Sequence, residues 1–127
     1  MTDFLSRIRA GEALVSDGGL GSLLMERGLP PGASPESLNL TRPEIVEEVA
    51  GEYAQAGADL ITTNTFGGSP LKLAAHGLAD RMEEINRAGV AVAQRAVAAL
   101  SAVKVAKRAV VAQRAGGAER RAGARAP

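Results

Sequence analysis

The chain has 127 residues, 46% of them apolar, and a formal net charge of +1. That is enough for one modest domain, whose core must be aliphatic and alanine-rich because the only aromatic residues are Phe4, Tyr53 and Phe66. The absence of cysteine excludes disulfides, thiolate nucleophiles and thiolate metal sites within the chain. No apolar run approaches the roughly 20 residues of a membrane span, and the N-terminal MTDFLSRIRAGE carries charges where a signal peptide needs an apolar centre, so the sequence reads as a soluble, cytoplasmic protein.

The small net charge conceals two unlike parts. Residues 1–103 hold eight basic and thirteen acidic side chains, a net of −5, whereas residues 104–127 hold seven and one, a net of +6. The reading therefore divides the chain at that point, into a globular portion 1–103 and a basic, low-complexity tail 104–127.

In chain order, residues 2–9 read as a short helix capped by Thr2 or Asp3, with Phe4, Leu5 and Ile8 on one face. Residues 13–21, ALVSDGGLG, follow. A short apolar run broken by Asp17, Gly18, Gly19 and Gly21 fits a buried strand of a parallel sheet, entering a helix over 20–27 that Gly28 ends. Asp17 then stands at the carboxyl end of a strand, where α/β folds gather ligand chemistry. Glycine N–H groups there can receive a carboxylate or phosphate, and Asp17 an amine; the same residues also suit a plain tight turn. A dinucleotide fingerprint is excluded, because its third glycine would fall at Leu24.

Residues 29–37, LPPGASPES, read as a loop. Thr41-Arg42-Pro43-Glu44 reads as a capped helix start with Thr41 as N-cap, and Val46, Val49, Tyr53 and Ala56 form the face to be buried before Gly57 closes the helix. Residues 58–66, ADLITTNTF, are β-branched and read as the second strand, ending in the turn Gly67-Gly68-Ser69-Pro70. Strand, helix, strand with a long crossover predicts a parallel pair, which brings Asp17 and Asn64 to the same rim. The competing reading is that Asn64 satisfies only local backbone groups. Residues 69–76 suggest a short helix; His76, the only histidine, lies past its first turn beside Gly77, a poor position for catalysis. Residues 80–100 predict a long helix with the stripe Leu78, Met82, Ile85, Gly89, Val92, Ala96 and Ala99. A third strand over 103–111 is a poor candidate, interrupted by Lys104, Lys107 and Arg108, and 113–127 reads as disordered.

Together, DGGLGSLLMERG, LNLTRPEIVEEVAGEYAQAGADLITTNTFGGS and the EEINRAGV helix resemble the homocysteine S-methyltransferase family, in unbroken order over residues 12–102. The resemblance implies an α/β fold, the first βα units of a (β/α)8 TIM barrel that is incomplete in this chain. It implies methyl transfer to the thiol of homocysteine, giving methionine, from a donor that differs among members: a folate through cobalamin, betaine or a sulfonium compound. It implies a zinc ion held by three cysteines. By position, Asp17 resembles the residue that binds the homocysteine amino group, Gly18 and Gly19 the backbone that receives its carboxylate, and Thr63, Asn64 and Phe66 the lining of the site.

The departures matter as much. A barrel takes about 250 residues, and this chain supplies two good βα units and no zinc-binding cysteine. The expectation is an amino-terminal portion of such an enzyme, inactive alone, with a tail read in another frame. Two competing readings are a nucleic-acid-binding protein using Arg114, Arg120, Arg121 and Arg125, and a non-catalytic fragment that completes a barrel with the missing remainder as a second polypeptide. The tail has no aromatic residue for base stacking, which disfavours nucleic acid.

Overall fold

A computed structural model describes the backbone of residues 3–122 and the side chains of residues 3–102. The core is built by two helices, α4 (Pro43–Ala56) and α6 (Met82–Ala122). The predicted stripes explain why. On α4, Ile45, Val46, Val49, Ala50 and Ala54 are buried; on α6, Ile85, Val92 and Ala96 are. Burial thus follows the 3.6-residue period. Tyr53 is only half-buried, and Ala56 and Ala99 are exposed, so each stripe fades at its C-terminal end. Leu24 of α2 (Gly21–Glu26), Leu29 and Leu38 complete a single apolar cluster with Ile45, Val46, Val49 and Val92. The Arg27 guanidinium grips both Glu52 oxygens at 2.6 and 2.7 Å, tying the end of α2 to α4.

Gly57 and Gly28 end their helices as read from the sequence, both with φ of +110°, a region that side-chain-bearing residues rarely enter. The predicted Thr41 cap is corrected. Residues Leu38–Thr41 form a helical turn of their own, α3, and the Thr41 hydroxyl donates back to the Ser37 carbonyl at 3.2 Å. Arg42 takes the N-cap position of α4 with no side-chain bond to the helix backbone, its guanidinium lying 3.4 Å from Glu44 Oε1 instead. The cause is Pro43, whose ring bars the helical region to the residue before it; Arg42 accordingly has φ −145° and ψ 61°.

The first helix, α1 (Phe4–Arg9), is capped by Asp3, whose carboxylate accepts the Ser6 N–H at 2.9 Å. That bond holds the Asp3 carboxyl below its ordinary pKa. Phe4, Leu5 and Ile8 share a face as predicted, yet all three are exposed. The helix is held instead through Arg7, which pairs with Glu12 and, at 2.8 Å, with Asp59.

The two predicted strands are reduced to short segments, residues 13–17 and 58–66, joined by one parallel bridge between Ser16 and Leu60; the second bends at Asp59 and Asn64 and turns at Phe66 and Gly67. The Asp17 N–H donates to the Leu60 carbonyl at 3.0 Å, and the Asp59 N–H to the Val15 carbonyl at 2.7 Å. The parallel direction is as the sequence implies. The buried setting expected for the first strand is not: Val15 is 61% exposed and Ala13 is exposed. Among the described residues no other strand flanks either segment, and an isolated pair of short strands is marginal by itself.

The loop 29–37 contains a 3-10 turn, Pro35–Ser37, whose Glu36 is buried. The helix predicted over 69–76 forms as α5 (Pro70–Ala74), with Ser69 as N-cap. A second 3-10 turn, Ala79–Arg81, leads into α6. The long helix does not end at Leu100 but continues to Ala122, so the weak third strand at 103–111 is replaced by helical backbone. The expectation of disorder falls on residues whose side chains, and for 123–127 whose backbone, lie outside those described. No helix among the described residues is long and apolar enough to cross a membrane.

Candidate functional site

A cavity of about 340 Å³ opens where the two extended segments end. The first segment and the turn after it contribute Asp17, Gly18, Leu20 and Gly21; the second contributes Thr62, Thr63, Asn64 and Phe66; the 3-10 turn contributes Pro35 and Glu36. Of the residues singled out in the sequence, Asp17, Gly18, Thr63, Asn64 and Phe66 therefore meet in one place. Gly19 does not line the cavity. Its carbonyl accepts the Tyr53 hydroxyl at 2.6 Å, which fastens the glycine turn to α4. His76 is exposed and lies away from the cavity lining.

Asp17 does more than mark the rim. Its Oδ2 accepts the Thr62 N–H at 2.9 Å, and its Oδ1 accepts the Thr62 hydroxyl at 2.7 Å and the Ser16 hydroxyl at 3.2 Å. These bonds lock the two segments beyond their single bridge. A carboxylate offers roughly four acceptor positions, so one remains for a ligand donor.

Asn64 is 5% exposed, and both hydrogens of its amide are used. They go to the Pro35 carbonyl at 3.0 Å and the Asn39 Oδ1 at 2.9 Å. Asn39 in turn donates to the Asn64 carbonyl at 2.8 Å and to the Ile85 carbonyl at 3.2 Å. The competing reading of Asn64 is thus half right: its donors serve the protein, but across distant parts of the chain rather than locally. Asn39 carries no sequence signal beyond a polar residue in a helical turn, and only the fold reveals it.

This network also explains Gly89 in the buried stripe of α6. A Cβ there would meet Asn39 Nδ2 at 2.8 Å and the Asn64 carbonyl at 3.2 Å, so glycine is what lets the helix approach the cavity wall. Thr63 and Thr65 share a hydroxyl bond of 2.8 Å. Phe66 stands at the rim, 91% exposed, with the Lys72 ammonium 4.2 Å from its ring centroid.

Glu36 was invisible in the sequence because its loop has no hydrophobic period. The cavity wall thus holds two carboxylates, Asp17 and Glu36, and no basic side chain. Both Glu36 oxygens already accept from the protein, so the acceptor position left on Asp17 is what favours a ligand carrying an amine. The donor set does not fit the zinc site implied by the family resemblance. The chain has no cysteine and one histidine, and among the described residues no three His, Cys, Asp or Glu gather to hold a metal.

The chain is 35% identical over 102 residues to the methionine synthase of Mycobacterium leprae (strain TN), an alignment covering 74% of this chain and 8% of that protein. It is also 35% identical over 102 residues to the methionine synthase of Mycobacterium tuberculosis (strain ATCC 25618 / H37Rv), again with 74% and 8% covered. The chain thus spans only a small part of the length of these relatives. A match to the homocysteine S-methyltransferase family runs over residues 14–122 and takes in every element that builds the cavity, so the chain belongs to the homocysteine S-methyltransferase family.

Proposed function

We propose that this chain is the homocysteine-binding portion of a methyltransferase that converts homocysteine to methionine. In this reading it forms the first βα units of a (β/α)8 barrel. The order of extended segment, helix, extended segment, helix and the parallel bridge between Ser16 and Leu60 support that architecture.

The observation that carries the reading is the convergence of Asp17, Gly18, Thr63, Asn64 and Phe66 on a cavity of about 340 Å³ with an acidic wall. Homocysteine brings an ammonium, a carboxylate and a thiol. The ammonium goes to the remaining acceptor position of Asp17, and the carboxylate to the main chain at Gly18, which lines the cavity. The thiol is then directed toward the open side of the cavity, near Phe66.

Methyl transfer forms a sulfur–carbon bond, breaks the bond between the methyl group and its donor, and releases the thiol proton. The thiolate is the nucleophile, and a thiol at neutral pH is mostly protonated. This chain supplies no cysteine and no metal cluster among its described residues to hold that thiolate. It therefore binds and orients homocysteine, while residues outside this chain activate the sulfur and deliver the methyl donor. The chain alone binds without turnover; a change of reading frame near residue 104 has the jump in charge for it and the family match as far as residue 122 against it.

Calorimetric titration of the chain with homocysteine, beside an Asp17→Ala variant, tests the reading. The expected result is saturable binding weakened at least about ten-fold in the variant, the effect of losing a charged hydrogen-bond partner. Equal affinity in both proteins, or methyl transfer to homocysteine by the purified chain, sinks it. Resequencing the gene from the codon for residue 95 onward in all three frames tests the tail. A continuation that encodes a valine- and glycine-rich strand and later cysteines is expected; stops in every frame would rule it out.

A further inference from the structure

Glu36 is a buried carboxylate, 5% exposed, in a loop that its Pro, Gly and Ser content marks as solvated. No basic side chain pairs with it among the ion pairs of the described residues. A buried charge without a cation is costly unless hydrogen bonds compensate it. Here one oxygen accepts the Gly67 N–H at 2.7 Å and the other the Ser34 hydroxyl at 3.1 Å. Gly67 is fitted to this contact. A Cβ at that position would lie 2.9 Å from each Glu36 oxygen, so a larger residue would force the carboxylate and the loop apart.

The consequence lies in what Gly67 holds. It closes the loop 63–67, whose Thr63, Asn64 and Phe66 line the cavity. The same 3-10 turn grips that loop twice: the Pro35 carbonyl receives the Asn64 amide at its root, and Glu36 receives the Gly67 N–H at its tip. Phe66 lies immediately before the second grip and is otherwise 91% exposed, with only the Lys72 ammonium over its ring. Among the described residues the Glu36 bond is what ties the Gly67 end of the loop to the 3-10 turn, while Asn86 of α6 separately donates to the next residue's carbonyl, Gly68, at 2.9 Å.

We propose that Glu36 is a positioning residue: its carboxylate clamps the loop 63–67 to the cavity wall and so sets where Phe66 and Thr63 stand relative to the ligand. The identity of that ligand, homocysteine, rests on the reading above; the clamp does not.

Three variants of the full chain separate the possibilities: Glu36→Ala, Glu36→Gln and Gly67→Ala. Hydrogen exchange of backbone amides, read by NMR, reports the clamp directly. The Gly67 amide is expected to exchange at least about ten-fold faster in E36A, while the amides of α4 and α6 keep their rates. In G67A, the amide of residue 67 and its neighbours loosen in the same way because the added methyl forces the loop off Glu36. E36Q keeps a carbonyl acceptor and stays within about three-fold of the parent. Homocysteine affinity follows the same order, falling in E36A and G67A and recovering in E36Q.

Unchanged exchange at Gly67 in E36A overturns the proposal. So does an affinity lost equally in E36Q and E36A, since that makes Glu36 a charge contact to the ligand rather than a clamp. If the parent chain binds no homocysteine, the substrate reading fails, and the exchange experiment still decides the clamp. Should E36A not fold, E36Q and G67A carry the same decision.

Discussion

The packed pair α4 and α6 and the paired segments 13–17 and 58–66 are built from equally apolar sequence, yet they end in opposite states. In the helices Val49, Ile85 and Val92 are almost fully buried, while in the first segment Val15 is 61% exposed. A helix satisfies its backbone internally and needs only one face covered, and α4 and α6 cover each other. A strand needs neighbours on both edges and layers on both faces. With one partner and one bridge, the extended segments depend on side chains to stay aligned: Asp17 on Thr62, Asp59 on the Val15 N–H, and Arg7 on Asp59. The scaffold is held by apolar burial, and the rim that carries the candidate chemistry by polar ties.

Substituting the same class of residue in the two regions gives the sharpest contrast. Leu24→Ala, in the helical core, is expected to cost about 2–5 kcal/mol, while Val15→Ala is expected to stay within about 0.5 kcal/mol. Urea denaturation of both variants checks this, and comparable losses would mean the segments are buried in solution.

The hinge between the regions is Asn39. Asn39→Leu removes two donated bonds and leaves the Asn64 and Ile85 carbonyls without that partner. The expected cost is about 1–3 kcal/mol, with the shift perturbations in an NMR spectrum centred on residues 62–66. Perturbations confined to α4 would break the link between scaffold and rim.

Gly89→Ala adds a methyl 2.8 Å from Asn39 Nδ2. Crowding of about 1–3 kcal/mol is partly offset by up to about 1 kcal/mol of helix propensity. The net loss should be small but measurable in the urea midpoint. A gain in stability would show that the wall yields to α6.

The smallest effect belongs to Asp3. Its carboxyl is held below the ordinary range by the Ser6 N–H, with the Ser6 hydroxyl adding to that. A carboxyl whose folded pKa is lowered contributes stability above its unfolded pKa and loses it as pH falls through the folded value. The Ser6 amide resonance should therefore titrate in acid, below the usual carboxylate range, with fraying of α1 alone. A midpoint at or above that range would remove the cap.

Several of these features were legible before any coordinates. The stripes of α4 and α6 follow from apolar spacing, and Gly28 and Gly57 follow from glycine's freedom at helix ends. Asp17, Gly18, Thr63, Asn64 and Phe66 were legible as a group because a parallel crossover brings two strand ends to one rim. The Thr41 cap misled because a local capping pattern competes with Pro43, and the proline's steric demand on Arg42 prevailed. Gly19 falls outside the cavity lining because adjacency in sequence does not fix which way a carbonyl turns, and Tyr53 takes it.

The sequence by itself determined α1, α2, α4, α5 and the first half of α6, the buried faces of α4 and α6, the glycine stops of α2 and α4, and the family to which the spacing of DGG, RPE, AGAD and TNTF points. These depend on residues within a few turns of each other and on the period of the chain. Only the tertiary structure decided that Glu36 is buried against Gly67, that Asn39 and Asn64 bond reciprocally, and that Gly89 packs against both of them. Each of those needs two segments at least 25 residues apart to meet. No local pattern encodes such a meeting, because the hydrogen-bond partners are selected by packing rather than by neighbours in the chain.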